Sequence, residues 1–142
     1  MNDCFYCEKG DKLNSLMIEI CKLKYTTIYL NRDQKHKGRL IVAFNGHYTE
    51  YFQLTEDENK GYFAEMSLAA KVLDQIYQPD KINYATFGDK VPHLHMHIVP
   101  KHKDKLQWGR PFRDGGEEKV FLSETEYQEI VELFNKVLNE LK

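Results

Sequence analysis

Cysteine is scarce in this chain and odd in number: Cys4, Cys7 and Cys21 are three among 142 residues. Because the start, Met1-Asn2-Asp3-Cys4, lacks a basic stretch followed by an apolar one, we expect a cytoplasmic protein without a disulfide framework. Long hydrophobic runs are lacking as well. None approaches the ~20 residues of a membrane span, so no membrane role is expected. Neither sign of charge prevails, with 20 Lys+Arg against 22 Asp+Glu and a formal net charge of -2. That balance argues against a partner such as a nucleic-acid polymer or a membrane surface, and leaves room for a small anion held locally. Repeats, low-complexity tracts and linkers are missing too. What is there, 42% hydrophobic and 13% aromatic residues, is enough for one core, and a single domain over 1–142 is expected.

Leu13 to Cys21, Tyr25 to Asn31 and Arg39 to Phe44 are rich in β-branched, aromatic and aliphatic residues and predict a meander of antiparallel strands. Thr55-Glu56-Asp57-Glu58 has the form of a capping box, and Phe63, Met66, Ala70, Leu73 and Tyr77 follow at helical spacing. A long helix over about 56–77 is predicted, stopping before Pro79, with its apolar stripe on one face of the sheet. Ile82 to Phe87 and Pro92 to Pro100, joined through Gly88-Asp89-Lys90, predict a hairpin in the middle of the sheet, its pairing bracketed by Pro92 and Pro100. Residues 101–119, with Trp108-Gly109-Arg110-Pro111 and Asp114-Gly115-Gly116, read as an ordered loop. A second capping box, Ser123-Glu124-Thr125-Glu126, opens a helix over about 124–141 whose stripe is Tyr127, Ile130, Val131, Phe134, Val137, Leu138 and Leu141. The class is α+β: a five-stranded antiparallel sheet, a long helix on one face and a C-terminal helix.

The segment His93-Leu94-His95-Met96-His97-Ile98-Val99 carries the chemistry. Successive strand side chains point to opposite faces, so the three histidines share one face and Leu94, Met96 and Ile98 the other. Imidazole serves as nucleophile, proton donor or metal ligand. Three uses are open. One ion held by all three is awkward, since strand positions two apart converge on a metal mainly in pairs. Alternatively His95 is a nucleophile and its neighbours divide the remaining tasks, an arrangement suited to phosphoryl or nucleotidyl transfer. Hydrogen-bonded structural histidines are the third. Separately, Cys4-Phe5-Tyr6-Cys7 has the spacing of a metal knuckle, but a closed site needs two further ligands. A redox pair is disfavoured because these cysteines precede any strand. Cys21, in a strand, reads as core.

The alternation of His with apolar residues, ending in two apolar positions, resembles the signature of the histidine triad (HIT) superfamily of nucleotide hydrolases and transferases. Leu30-Asn31-Arg32, Gly38, His47, Asn83, and Gly88 ahead of Val91-Pro92-His93 follow in the family's order, and Trp108-Gly109-Arg110-Pro111 is similar to bacterial diadenosine polyphosphate hydrolase-like members. The likeness covers about residues 4–111. It implies a HIT-like fold, a homodimer, and an enzyme that hydrolyses dinucleoside polyphosphates or nucleoside phosphoramidates through a nucleotidyl-histidine. In that reading His95 attacks the α-phosphorus and His97 contacts the phosphate and helps protonate the leaving group. Asn31 lies near the ribose, Asn83 near the phosphate side, and Gly88 in the phosphate cradle. Zinc-containing members imply a structural zinc on Cys4, Cys7, His47 and His93. The chain departs from the pattern at Arg39, where many members carry His, and at Asp89, beside Gly88. Arg39 can hold a phosphate by a fork of hydrogen bonds, whereas Asp89 would repel one unless paired with Lys90 or Arg39. The alternative functions are a nucleotide-binding module with weak or no catalysis, and a zinc hydrolase using metal-bound water, which requires an open metal position.

Overall fold

The computed structural model describes residues 4–113 and 119–142. Two short helices, α1 (Phe5–Glu8) and α2 (Asp11–Leu16), lead into β1 (Met17–Lys22), β2 (Thr26–Asn31) and β3 (Leu40–Phe44). After one 3-10 turn come α3 (Glu56–Tyr77), β4 (Lys81–Ala85), β5 (His95–Lys101) and α4 (Glu124–Leu141). All strand pairs are antiparallel, in the order β1-β2-β3-β5-β4. The meander of the first three strands is as expected. The hairpin is not central: β5 pairs with β3 and puts β4 at the edge. Pro100 lies within β5 opposite Ile82, but beyond the last pair with β3, Ile98 with Leu40, so only β4 flanks it there.

Both long helices have the predicted bounds, because their starts are written locally. Thr55 and Ser123 each accept the backbone N–H three residues on, while Glu58 and Glu126 return the contact to the cap backbone. Along α3 Met66, Ala70 and Leu73 are buried and Tyr77 packs against the core as expected, and only the first position of the stripe differs. Tyr62 is 0% exposed and its hydroxyl donates to the Val42 carbonyl at 3.1 Å, whereas Phe63 is 53% exposed. The N-terminal segment also differs. Leu13 to Leu16 is helical, and the first strand begins at Met17. A bulge at Ile20 shifts the register of β1, and Asn135 of α4 donates to the Ile20 carbonyl at 3.1 Å.

Central strands β2 and β3 are buried on both faces. On one, Ile28, Leu30, Leu40, Val42, Met96 and Ile98 pack against Met66, Leu73, Phe134 and Leu138 of α3 and α4. On the other, Tyr29, Ile41 and Ala43 are covered by Cys4, Tyr6, Leu13 and Met17. The strand register puts His95, His97, Arg39, Asn31 and Asn83 on this second face. Gly38, at φ 87°, makes the turn into β3; a Cβ there would fall 2.5 Å from the Tyr77 ring. Residues 102–113 fold back over the sheet, held by Lys101, while the Asp114-Gly115-Gly116 part of the loop lies outside the described residues. Among the described residues no helix is long and apolar enough to cross a membrane.

Thr55→Ala removes one cap and is expected to lower the unfolding free energy by about 1 kcal/mol. Leu73→Ala opens a cavity under the sheet and should cost about 2–5 kcal/mol. Denaturant titration of both variants checks the order and the scale.

Candidate active site and metal centre

The three histidines share a row but differ in which nitrogen is committed. His93, just ahead of β5, has Nε2 at 2.8 Å from the Phe44 carbonyl oxygen. A carbonyl only accepts, so Nε2 carries the hydrogen and Nδ1 bears the lone pair. That Nδ1 faces Cys4 Sγ at 3.2 Å, Cys7 Sγ at 3.7 Å and His47 Nδ1 at 3.2 Å. His95 has the opposite assignment. Its Nδ1 lies 2.6 Å from the His93 carbonyl oxygen and donates to it, so Nε2 holds the lone pair. Burial pushes both imidazoles below the usual histidine range, favouring the neutral rings. Tyr6, from α1, packs its ring 5.1 Å from His93 and 5.2 Å from His95, and rests on Tyr29 at 6.0 Å.

The four donor atoms of Cys4, Cys7, His47 and His93 lie within 4.8 Å of one another. Cys7 Sγ and His47 Nδ1 are 3.4 Å apart. A tetrahedral set with metal–nitrogen and metal–sulfur bonds of 2.0–2.3 Å has edges of about 3.3–3.8 Å, which these separations approach. Two sulfurs and two imidazole nitrogens therefore fit one metal ion, and the Phe44 carbonyl orients His93 from behind, as an outer partner of a ligand does. The row is thus divided: only His93 joins the cysteines, and the ring of His95 lies 5.1 Å from that of His97.

His97 Nδ1 accepts from Arg39 Nη2 at 3.1 Å, and the Arg39 guanidinium lies 5.0 Å from the Phe112 ring. Both side chains are buried, so Arg39 is turned toward His97 beneath the surface. Asn31 ends β2 and donates to the Asp33 carbonyl at 3.1 Å. Asn83 accepts from Lys101 Nζ at 3.3 Å. Gly88 is half-buried, and Asp89 and Lys90 are exposed turn residues. A groove of about 640 Å³ runs along β4, lined by Asn83, Ala85, Lys101, Arg110 and Phe112 among others. It starts beside the row, since Ala85 opposes His97.

Several contributors have no local signal in the sequence. Lys101, 2% exposed, donates to the Gln107 and Arg110 carbonyls at 2.6 and 2.8 Å and pins the loop. Gln107 Oε1 accepts from His36 Nε2 at 3.0 Å and from the Arg113 N–H at 2.8 Å, and so brings Phe112 over His97 at 5.8 Å. Tyr6 was hidden between the two cysteines, where an aromatic reads as spacer.

A family model described as HIT domain matches residues 17–104. Over 88 residues the chain is 34% identical to bis(5'-adenosyl)-triphosphatase of Saccharomyces cerevisiae, a match covering 58% of this chain and 43% of that protein. The chain thus spans less than half the length of this relative. A histidine triad protein from Marinobacter aquaeolei superposes with a TM-score of 0.83 at 19% identity, covering 94% of this chain and 96% of that one. A zinc-bound histidine triad family protein from Mycobacterium smegmatis gives 0.68 at 19% identity, covering 97% and 94%.

The two carbonyl contacts make a spectroscopic prediction. Long-range ¹⁵N–¹H correlation at pH 7 should show His93 protonated at Nε2 and His95 at Nδ1; the reverse assignment for His95 would contradict the geometry.

Proposed function

The chain belongs to the HIT domain family, and on that premise we propose that it is a nucleotide hydrolase or nucleotidyl transferase acting on dinucleoside polyphosphates or nucleoside phosphoramidates through a nucleotidyl-histidine. The observation that carries the reading is the 2.6 Å hydrogen bond from His95 to the His93 carbonyl. It keeps the proton on Nδ1 and leaves the Nε2 lone pair for phosphorus. As the Nε2–P bond forms, the ring gains positive charge, and the same carbonyl stabilises the Nδ1–H that carries it. His97, the next ring in the row, attends the phosphate. Asn31 stands on the ribose side, and Asn83 and the backbone at Gly88 on the phosphate side, with Asp89 at the mouth. Dinucleoside polyphosphates are favoured as substrates by the likeness to the yeast triphosphatase.

Zinc is the metal this donor set suits, and the zinc-bound mycobacterial relative supports the choice. Cys4, Cys7, His47 and His93 would hold it as a closed structural site. When bound, the ion compensates two thiolates and ties the N-terminal segment to the strand of the row. Holding His93 also holds the carbonyl to which His95 donates, so the metal ligands act on the nucleophile through the backbone.

His95→Ala should cut turnover of a diadenosine polyphosphate by at least about a thousandfold, as loss of a nucleophile does, while nucleotide binding by calorimetry persists; unchanged turnover overturns the mechanism. Elemental analysis should find one zinc per chain, lost in Cys4→Ser and His47→Ala. Full activity in protein without metal would refute the structural zinc.

A further inference from the structure

Arg39 reaches the histidine row from just ahead of β3, and its contacts identify what it does. The side chain is 2% exposed, with Nη2 at 3.1 Å from His97 Nδ1 and the guanidinium 5.0 Å from Phe112. Arginine has donors and no acceptor, so His97 Nδ1 must accept and carries no hydrogen. The single proton of the neutral ring then sits on Nε2. A proton on Nδ1 as well would aim one N–H at another and add a positive charge beside a guanidinium that keeps its own. Among the described residues, those that face His97 include Arg39, the His95 ring at 5.1 Å, and Phe87 and Phe112 at 5.7 and 5.8 Å.

We propose that Arg39 is a positioning residue that locks His97 as an Nε2–H hydrogen-bond donor, and that the lock selects phosphoanhydride substrates over phosphoramidates. The proposal rests on the nucleotidyl-transfer reading above and narrows it. In an anhydride, the His95 Nε2–P bond forms as the bridging P–O bond breaks, and the electron pair stays on oxygen. That oxygen leaves as part of a terminal phosphate, which is weakly basic and needs a hydrogen bond rather than a proton. In a phosphoramidate the P–N bond breaks, and the departing nitrogen must take a proton because an amide anion is far too basic. His97 could supply one only as imidazolium, with both nitrogens protonated, and Arg39 occupies Nδ1. Deadenylylation is the same for both classes: water's oxygen bonds to phosphorus, the P–Nε2 pair returns to His95, and water's proton passes to solvent.

The test compares kcat/KM of the unmodified protein for a diadenosine polyphosphate and for adenosine 5'-phosphoramidates of graded amine basicity. We expect the anhydride to be favoured by roughly a hundredfold or more, the scale of a general acid that is not engaged, with phosphoramidate rates falling steeply as the amine becomes more basic. Arg39→His should narrow the preference at least about tenfold, whereas Arg39→Lys, which keeps a donor to Nδ1, should retain it. ¹⁵N NMR of the unmodified protein should show His97 as the Nε2–H form, and this holds as a test even if the variants do not fold. Equal or faster phosphoramidate turnover, or a proton on His97 Nδ1, overturns the lock while leaving the nucleophile in place. Turnover of neither substrate, or turnover by His95→Ala, overturns the underlying reading and the lock with it.

Discussion

One hydrogen bond joins the two halves of this site: His95 Nδ1 donates to the carbonyl of His93 at 2.6 Å. Its donor sets the tautomer of the nucleophile candidate, and its acceptor belongs to a residue whose side chain sits among Cys4, Cys7 and His47. The imidazole of His93 is itself oriented by the Phe44 carbonyl at 2.8 Å. A chain of backbone acceptors therefore runs from the end of β3 through His93 to His95. Movement of His93 by a fraction of an ångström would weaken a contact that is worth more in this buried setting than it would be in water.

The rest of the fold can be understood as what holds that chain still. The sheet is covered on both faces, by α3 and α4 on one and by α1, α2 and the 102–113 loop on the other, so the row is buried although it lies on the face away from the main helices. Apolar neighbours cannot compensate a charge, and burial disfavours imidazolium at His93 and His95. Arg39 brings a permanent cation against the row. Among its neighbours are a histidine nitrogen that accepts and the face of Phe112, contacts suited to a buried guanidinium.

Much of this was legible in the sequence where the cause is local. Capping boxes at Thr55 and Ser123 mark the starts of both long helices, and Pro79 follows the end of α3 at Tyr77. The period-2 histidines likewise announce a row. Elements shorter than two turns carry no periodic signal, so α1 and α2 were hidden and Leu13 to Leu16 read as strand. The choice between Tyr62 and Phe63 depends on where β3 lies under the helix, which neighbouring residues do not record. The edge position of β4 depends on β5 pairing across to β3, a contact between distant segments. Spacing says which histidines are near one another. Which nitrogen of each carries the hydrogen is decided by Phe44, His93 and Arg39, and only the three-dimensional arrangement supplies those partners.

The division of labour in the row is tested most directly by mapping the covalent adduct. Rapid quench during turnover of a diadenosine polyphosphate, followed by proteolysis and mass spectrometry, should place a nucleotidyl group on His95 alone. An adduct on His93 or His97, or turnover with no adduct at any histidine, would contradict the account.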